Sequence, residues 1–130
     1  MIVVDASTAV ELVLRTAAAE RIESRLLAEG ETLHAPHLLD IEVAHVVRRY
    51  FLMGQMSAER GREALRDLSE LPISRYPHDL FMLRIWELRR NVTAYDAAYV
   101  ALAEALAAPL LTRDGRLATS SGHAATIELI

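Results

Sequence analysis

Short apolar runs alternate along this chain with longer stretches of helical periodicity. The apolar runs end at Asp, Pro or turn-forming residues, as buried strands commonly do. They predict strands at residues 2–4, 32–35, 73–76 and 110–112, with a fifth at 126–129. The first of these runs ends directly at Asp5, and the fourth lies two residues before Asp114.

The segments between the apolar runs carry apolar residues at the three- and four-residue spacing typical of helices. Residues that favour helix caps precede these segments, and Gly or Pro follows them. We expect helices at residues 5–14, 16–30, 38–53, 57–71, 80–89 and 93–107, and one helical turn at 116–120. Alternating strands and helices predict an α/β fold with a short parallel sheet of four to five strands flanked by helices.

Two local features of the helices are also predicted. Thr16 is expected to cap the second helix at its N-terminus. In the fourth helix, the spacing of Ala58, Gly61, Leu65 and Leu68 predicts the buried stripe.

Length and composition favour one folded domain over residues 1–130. The chain has 130 residues, 52% of them hydrophobic, and a net charge of −4, which argues against disorder. It has no Cys, so disulfides and thiolate metal sites are excluded. No apolar run is long enough for a membrane span and no leader pattern is visible, so we expect a cytoplasmic protein without membrane contact. Any binding of nucleic acid must be local, because the chain is acidic overall.

All 14 basic residues are Arg, and Lys is absent. Genome composition is the simplest explanation. Whatever its cause, the absence of Lys excludes Schiff-base enzymes, P-loop kinases and phosphate-receiver domains that need a Lys partner. Arg remains well suited to phosphate because its planar guanidinium can bind two oxygens at once.

Four carboxylates stand out against apolar surroundings: Asp5, Glu42, Asp96 and Asp114. Two of them follow predicted strands, and the other two lie in predicted helices that are largely apolar. Sites in open parallel sheets form beyond the carboxyl ends of strands, so all four can converge on one edge. Carboxylates in apolar surroundings are costly unless paired, which points to a shared cation.

Each carboxylate except Glu42 also has a simple local explanation. Asp5 can cap the first helix, and Asp114 with Gly115 is a common turn. Asp96 lies three residues after Thr93, the spacing of a capping box. Glu42 has mostly apolar helical neighbours and no Arg within one turn. Four separate coincidences are less plausible than one metal site.

The histidines offer two weaker metal patterns. His34, His37 and Asp40 lie close together in sequence, as zinc ligands often do. Glu42 and His45 have the Glu-x-x-His spacing of di-iron bundles, but the second copy that such a site needs is missing.

Four features lie in order along the chain: Val3-Val4-Asp5-Ala6-Ser7, Glu42, residues 95–103 (YDAAYVALA) and residues 111–118 (LTRDGRLA). Each motif alone is weak, and their order and separation make the match specific. With them the sequence resembles the PIN-domain ribonucleases, and in particular the VapC toxins of bacterial toxin–antitoxin pairs. The resemblance covers essentially the whole chain.

The resemblance implies a metal-dependent endoribonuclease with Asp5, Glu42, Asp96 and Asp114 as its acidic metal-binding quartet. Ser7 and Thr112 would support these acids. It also implies a homodimer and a VapB-type antitoxin whose extended segment occupies a groove over the acidic site, with an Arg that displaces the metal or mimics its charge. Some relatives carry a further acid after the fourth, but here the next one is Glu128.

The residues themselves agree with this chemistry. Oxygen ligands without Cys suit Mg²⁺ or Mn²⁺, and one of the acids can serve as general base. Arg113 and Arg116 flank Asp114 and are the candidates for contact with the RNA backbone, whereas the pairs 48–49 and 89–90 are interpreted as solvated helix ends. Unstacked loops are plausible RNA targets.

Two other classes remain open. An acid-cluster phosphohydrolase acting on small phosphate esters would be expected to have Asp at position 7 and a Lys, and this chain has Ser7 and no Lys. A degenerate PIN domain that serves only as an interaction module would be expected to have lost one of the four acids, and all four are present.

Overall fold

A five-stranded parallel sheet forms the centre of the molecule in a computed structural model that describes residues 1–130. Its strands are β1 (Ile2–Val4), β2 (Leu33–Pro36), β3 (Ile73–Tyr76), β4 (Leu110–Thr112) and β5 (Ile127–Leu129). Seven helices flank it: α1 (Ala6–Val13), α2 (Ala19–Leu26), α3 (Leu38–Leu52), α4 (Ala58–Glu70), α5 (Met82–Glu87), α6 (Ala94–Leu106) and α7 (Gly115–Ala118). The predicted α/β architecture with a short parallel sheet is confirmed.

The strand order determines where a crevice for a ligand forms at the edge of the sheet. The strands lie in the order β3-β2-β1-β4-β5, so the chain moves outward from β1 on one side and then crosses to β4 on the other. In the central pair, Val4 lies opposite Leu111. A crevice at such a switch point, beyond the carboxyl ends of the strands, is the usual ligand site of open α/β sheets.

The core explains why the sequence folds this way. All three residues of β1 and all three of β4 are buried, as expected for parallel strands covered on both faces. Helix α6 packs against β1, β2 and β4, and its residues 97–103 are all buried. Because α6 leads into β4, its first turn lies at the carboxyl edge of the sheet. Helix α3 begins at the same edge because it follows β2.

Some predicted details of the helices are wrong. Helix α2 begins at Ala19 without a side-chain cap, because the Thr16 hydroxyl accepts the Ala18 backbone N–H in the turn before the helix, while it donates to the carboxylate of Glu11. The buried stripe of α4 is Gly61, Ala64 and Leu68. Gly61 and Leu68 are buried as predicted, whereas Ala58 and Leu65 are exposed, because packing against α1 and α3 buries Ala64 instead of these two.

The segment predicted as one helix at 80–89 is shorter and divided. A 3₁₀ turn at His78–Phe81 leads into α5, which ends at Glu87. Its large apolar residues Leu80, Leu83 and Trp86 are 70%, 83% and 66% exposed. Helix α7 ends at Ala118, two residues before the predicted limit. No helix has the length and apolar character needed to cross a membrane.

Candidate active site

Asp5 lies at the centre of the carboxyl edge, directly after β1. It is 6% exposed and forms the N-cap of α1, where its Oδ1 accepts a hydrogen bond of 3.0 Å from the Thr8 backbone N–H. Burial raises the pKa of Asp5, and hydrogen bonds from Thr112, Thr8 and Ser7 act in the opposite direction. The capping role and a role in a cation site are therefore compatible in one residue.

Ser7 and Thr112 connect Asp5 to the segment that carries Asp114. The Ser7 hydroxyl donates to Asp5 Oδ1 at 2.7 Å, and the Thr112 hydroxyl donates to Asp5 Oδ2 at 2.5 Å. Each hydroxyl also accepts a backbone N–H, from Arg113 at 2.9 Å and from Asp114 at 3.0 Å. Both hydroxyl protons are thus directed at Asp5, and the β4–α7 loop is fixed against it.

Glu42 reaches the same edge from α3 and is held by Tyr99 of α6. The Tyr99 hydroxyl, which is buried, donates to Glu42 Oε1 at 2.8 Å. Burial raises the pKa of Glu42, and the negative charges of Asp96 and Asp5 add to that rise, while the Tyr99 hydrogen bond opposes it. Burial and these acids also raise the pKa of Tyr99, so its hydroxyl keeps its proton and remains a donor.

Asp96 and Asp114 complete the set from the other side of the crevice. Asp96 is in the first turn of α6, where Thr93 caps the helix through the Asp96 backbone N–H at 3.1 Å. Asp114 caps α7 and accepts from the Arg116 backbone N–H at 2.8 Å. Burial raises the pKa of Asp96, and the charges of Asp114 and Asp5 raise it further.

None of the four carboxylates forms an ion pair. The ion pairs of the chain use other acids, such as Glu128 with Arg25 and Asp40 with Arg75. Four neighbouring carboxylates without an ion-pairing base, whose charges raise the pKa of Glu42 and of Asp96, suit a hard divalent cation. No three acids or histidines are close enough to enclose an ion as they stand.

The histidine patterns do not assemble into sites. Both ring nitrogens of His34 are hydrogen-bonded, Nε2 to Thr32 Oγ1 and Nδ1 to the Tyr76 hydroxyl, each at 2.8 Å. Asp40 is bound through both oxygens by Arg75. His37 and His45 are exposed. The zinc-like and di-iron-like spacings therefore have structural explanations.

An open cleft of about 540 Å³ lies beside Asp96 and Asp114. Arg89, Arg90 and Arg116 line it, together with Asn91, Val92, Thr93, Leu117 and Ser120. The charge of Arg116 acts to lower the pKa of Asp96, so Arg116 is close to the acidic site. The interpretation of the pair 89–90 as a solvated helix end is incomplete, because the pair faces this cleft.

Arg113 lies apart from the cleft. Its guanidinium donates to the Ile130 carbonyl at 2.7 Å and lies 3.7 Å from the Glu11 carboxylate. Glu128, the nearest acid that follows Asp114 in sequence, is instead held by Arg25 at 3.0 Å. Contact between Arg113 and RNA stays a prediction, and it requires the side chain to leave the C-terminus.

Sequence reasoning missed two parts of this arrangement. Tyr99 was given no role, although a Tyr inside an otherwise buried apolar helix needs a polar partner and so signals one. The sequence around Arg89 and Arg90 gave no such signal, because their place in the cleft depends on the segment after α5 lying opposite residues of α7.

Comparison with known proteins agrees with the fold and the motifs. The PIN-domain family model matches residues 2–120. Ribonuclease VapC12 of Mycobacterium tuberculosis is 46% identical over 130 residues, which cover 100% of this chain and 99% of that protein. Ribonuclease VapC1 of the same species is 46% identical over 129 residues, covering 98% of this chain and 96% of that protein.

Solved structures show the same fold at lower identity. VapC20 of Mycobacterium tuberculosis, a sarcin–ricin loop cleaving toxin, has a TM-score of 0.70 at 15% identity. The match covers 95% of this chain and 97% of the VapC20 chain. VapBC2 of Rickettsia felis, bound to a DNA fragment from the promoter, has a TM-score of 0.67 at 14% identity. The match covers 99% of this chain and 98% of the Rickettsia chain. This chain therefore belongs to the PIN-domain family, as a VapC-type member.

Proposed function

We propose that this chain is a divalent-metal-dependent endoribonuclease and the toxin of a VapBC-type toxin–antitoxin pair. The observation that carries the proposal is the set of four carboxylates at the crevice between β1 and β4, none of which forms an ion pair. The names of the curated relatives, which are ribonucleases, support the reaction class.

Asp5, Glu42, Asp96 and Asp114 are the residues that would hold Mg²⁺ or Mn²⁺. When bound, the metal supplies Lewis-acid activation of water and stabilises negative charge on the leaving oxygen. Asp5 and Asp96 would bind it directly, because burial raises the pKa of both carboxyls and a bound cation would offset the cost of their charge. Ser7 and Thr112 keep both Asp5 oxygens oriented.

Glu42 and Asp114 act on water in the proposed reaction. One of them orients the attacking water and accepts its proton as the phosphodiester P–O bond breaks and the leaving oxygen is released. Tyr99 holds Glu42 in place through its 2.8 Å hydrogen bond. The raised pKa of Glu42 lies closer to the pH at which the enzyme works, where a general base is most effective.

Two protein partners belong to the proposal. An antitoxin of VapB type is supported by the similarity to the Rickettsia VapBC2 complex, and its extended segment would cover the acidic site with an Arg near the carboxylates. A homodimer is supported by exposed apolar side chains on α3 and before and within α5, including Ile41, Leu80 and Leu83, which are 70%, 70% and 83% exposed. A cytoplasmic location remains a prediction.

The proposal is tested by incubating the purified chain with a structured RNA and, in parallel, with p-nitrophenyl phosphate. We expect RNA cleavage with Mn²⁺ or Mg²⁺, none with a chelator, and no hydrolysis of the small ester. Hydrolysis of the ester without RNA cleavage would favour a phosphohydrolase. Activity on neither substrate, despite metal binding, would favour an interaction module.

A further inference from the structure

The cleft beside Asp96 and Asp114 carries more positive than negative charge. Arg89, Arg90 and Arg116 line it against these two carboxylates, although the whole chain has a net charge of −4. None of the three arginines forms an ion pair, whereas Arg15, Arg25, Arg60, Arg62, Arg75, Arg84 and Arg113 do. Their guanidinium groups are therefore available to an anion.

The three arginines approach the acidic site from two sides. Arg89 and Arg90 lie in the segment between α5 and α6, and Arg116 lies in the first turn of α7. A divalent cation on the carboxylates would cancel their charge and leave a positive cleft. Arginines spaced along an open cleft suit successive phosphates of a chain better than one small ester.

The segment that carries Arg89 and Arg90 is held in position. The Asn91 and Val92 backbone N–H groups both donate to the Leu88 carbonyl, at 2.9 and 3.1 Å. Gly122, with φ of +86°, approaches the Asn91 side chain so closely that a Cβ there would lie 2.6 Å from Asn91 Cγ. A Cβ at position 122 would therefore force the Asn91 side chain to move.

The Arg89 side chain is itself fixed by Trp86. Its guanidinium lies 4.5 Å from the centre of the Trp86 ring, and Nη1 donates to the Trp86 carbonyl at 2.9 Å. Such a pre-positioned cation loses little conformational freedom when it binds a phosphate. This arrangement distinguishes Arg89 from a freely moving surface side chain.

We infer that Arg89, Arg90 and Arg116 form a phosphate-binding rim that holds the RNA backbone next to the acidic quartet. The inference rests on the proposed function for its substrate class, and it assigns to residues 89 and 90 a binding role that their sequence pattern did not indicate. The contacts are to phosphate, so they position the strand and carry no base specificity.

The test compares Arg89→Ala/Arg90→Ala with Arg48→Ala/Arg49→Ala, both made in a Glu42→Gln background so that bound RNA is not cleaved. Arg48 and Arg49 are exposed near the end of α3, form no ion pair and do not line the cleft, so the control removes the same charge elsewhere. Binding of a fluorescent single-stranded oligouridine is measured with Mn²⁺ over a series of KCl concentrations.

We expect the rim variant to bind roughly tenfold more weakly and its salt slope to fall by about 0.7 for each phosphate that the protein no longer neutralises. The Arg48/Arg49 control should bind like the background protein. Equal RNA binding and equal salt slopes for the background protein and both double variants would overturn the rim. These arginines would then be candidates for contact with a protein partner instead. An equal weakening in both double variants would also overturn it, because the effect would then be general charge.

RNA cleavage by the unmodified chain is measured separately. If the unmodified chain cleaves RNA but the rim variant binds RNA as well as the background protein does, the phosphate-binding rim is overturned and the proposed ribonuclease stands. Rim-dependent binding without any cleavage would support the rim and contradict the proposed ribonuclease.

Discussion

Thr112 donates a 2.5 Å hydrogen bond from its hydroxyl to Oδ2 of Asp5, across the junction of the two central strands. The same hydroxyl accepts the backbone N–H of Asp114 at 3.0 Å. One side chain thus fixes the orientation of one proposed metal ligand and the position of another. The relationship exists because β1 and β4 are neighbours in the sheet although they are far apart in sequence.

Replacing Thr112 by Val removes both hydrogen bonds while keeping the shape of the side chain. A buried carboxylate that loses a donor is destabilised, so we expect the free energy of unfolding to fall by about 1–3 kcal/mol. Cleavage should fall as well, since Asp5 and Asp114 lose their shared support. Thr112→Ser, which keeps the hydroxyl, is the control in urea unfolding and in the cleavage assay. A Val variant as stable and active as the parent, beside a weakened Ser variant, would show that the methyl group and not the hydroxyl matters.

Asp96 should make the metal-free protein less stable as the pH rises. Its pKa is raised in the folded state, so the folded protein binds more protons than the unfolded chain between about pH 4, the ordinary carboxyl value, and the raised pKa. Stability contributed by the protonated form is therefore lost as the pH rises through that window. Asp96→Asn should show a shallower decline and greater stability at neutral pH.

The experiment for Asp96 is urea unfolding with a chelator at several pH values. Asp79→Asn is the matched control, because Asp79 is exposed on the 3₁₀ turn and forms no ion pair. If both variants follow the parent at every pH, neither the burial of Asp96 nor its repulsion by the other acids affects stability.

Divalent cations should stabilise the folded chain. A ligand that binds only the native state stabilises it by about 2.7 kcal/mol at 100 times its dissociation constant. We expect Mn²⁺ to raise the melting temperature of the parent and to do so much less in Asp5→Asn. An equal rise in the two proteins would place the cation elsewhere.

Tyr99→Phe should move the pH dependence of cleavage. The Tyr99 hydroxyl is the donor that opposes the rise in the pKa of Glu42. Without it, Glu42 should remain protonated to higher pH, so the acidic limb of the pH–rate profile should move to higher pH. The fold should be retained, with a loss of about 1 kcal/mol for the missing hydrogen bond. A lower rate with an unshifted profile would assign Tyr99 a purely structural role.

The sequence predicts the framework well because its signals are local and unambiguous. Parallel strands covered on both faces require continuous apolar runs, and the runs ending near Asp5 and Asp114 are of this kind. The four acids stand out for the same reason, since charge in such surroundings is costly. Helix α4 shows the limit, because only Gly61 and Leu68 of its predicted stripe are buried. Ala58 and Leu65 fit the helical period as well as Ala64 does, and only packing against α1 and α3 selects among them.

Other features depend on distant parts of the chain and leave no local pattern. The bond between Tyr99 and Glu42 joins α6 to α3, and the cleft joins residues 89–90 to Arg116 across α6. Arg113 and Arg116 flank Asp114 alike in sequence, but one turns to the C-terminus and the other to the cleft. The intervening turn into α7, rather than residue type, separates their positions.

The central claim is that the four carboxylates act together in metal-dependent RNA cleavage. Its most direct test is the cleavage rate of Asp5→Asn, Glu42→Gln, Asp96→Asn and Asp114→Asn with saturating Mn²⁺, with Asp79→Asn as control and circular dichroism to verify folding. Each quartet variant should lose about 100-fold or more of the parental rate while the control keeps it, because each change removes charge and preserves shape. A folded quartet variant that cleaves RNA at the parental rate would contradict the account.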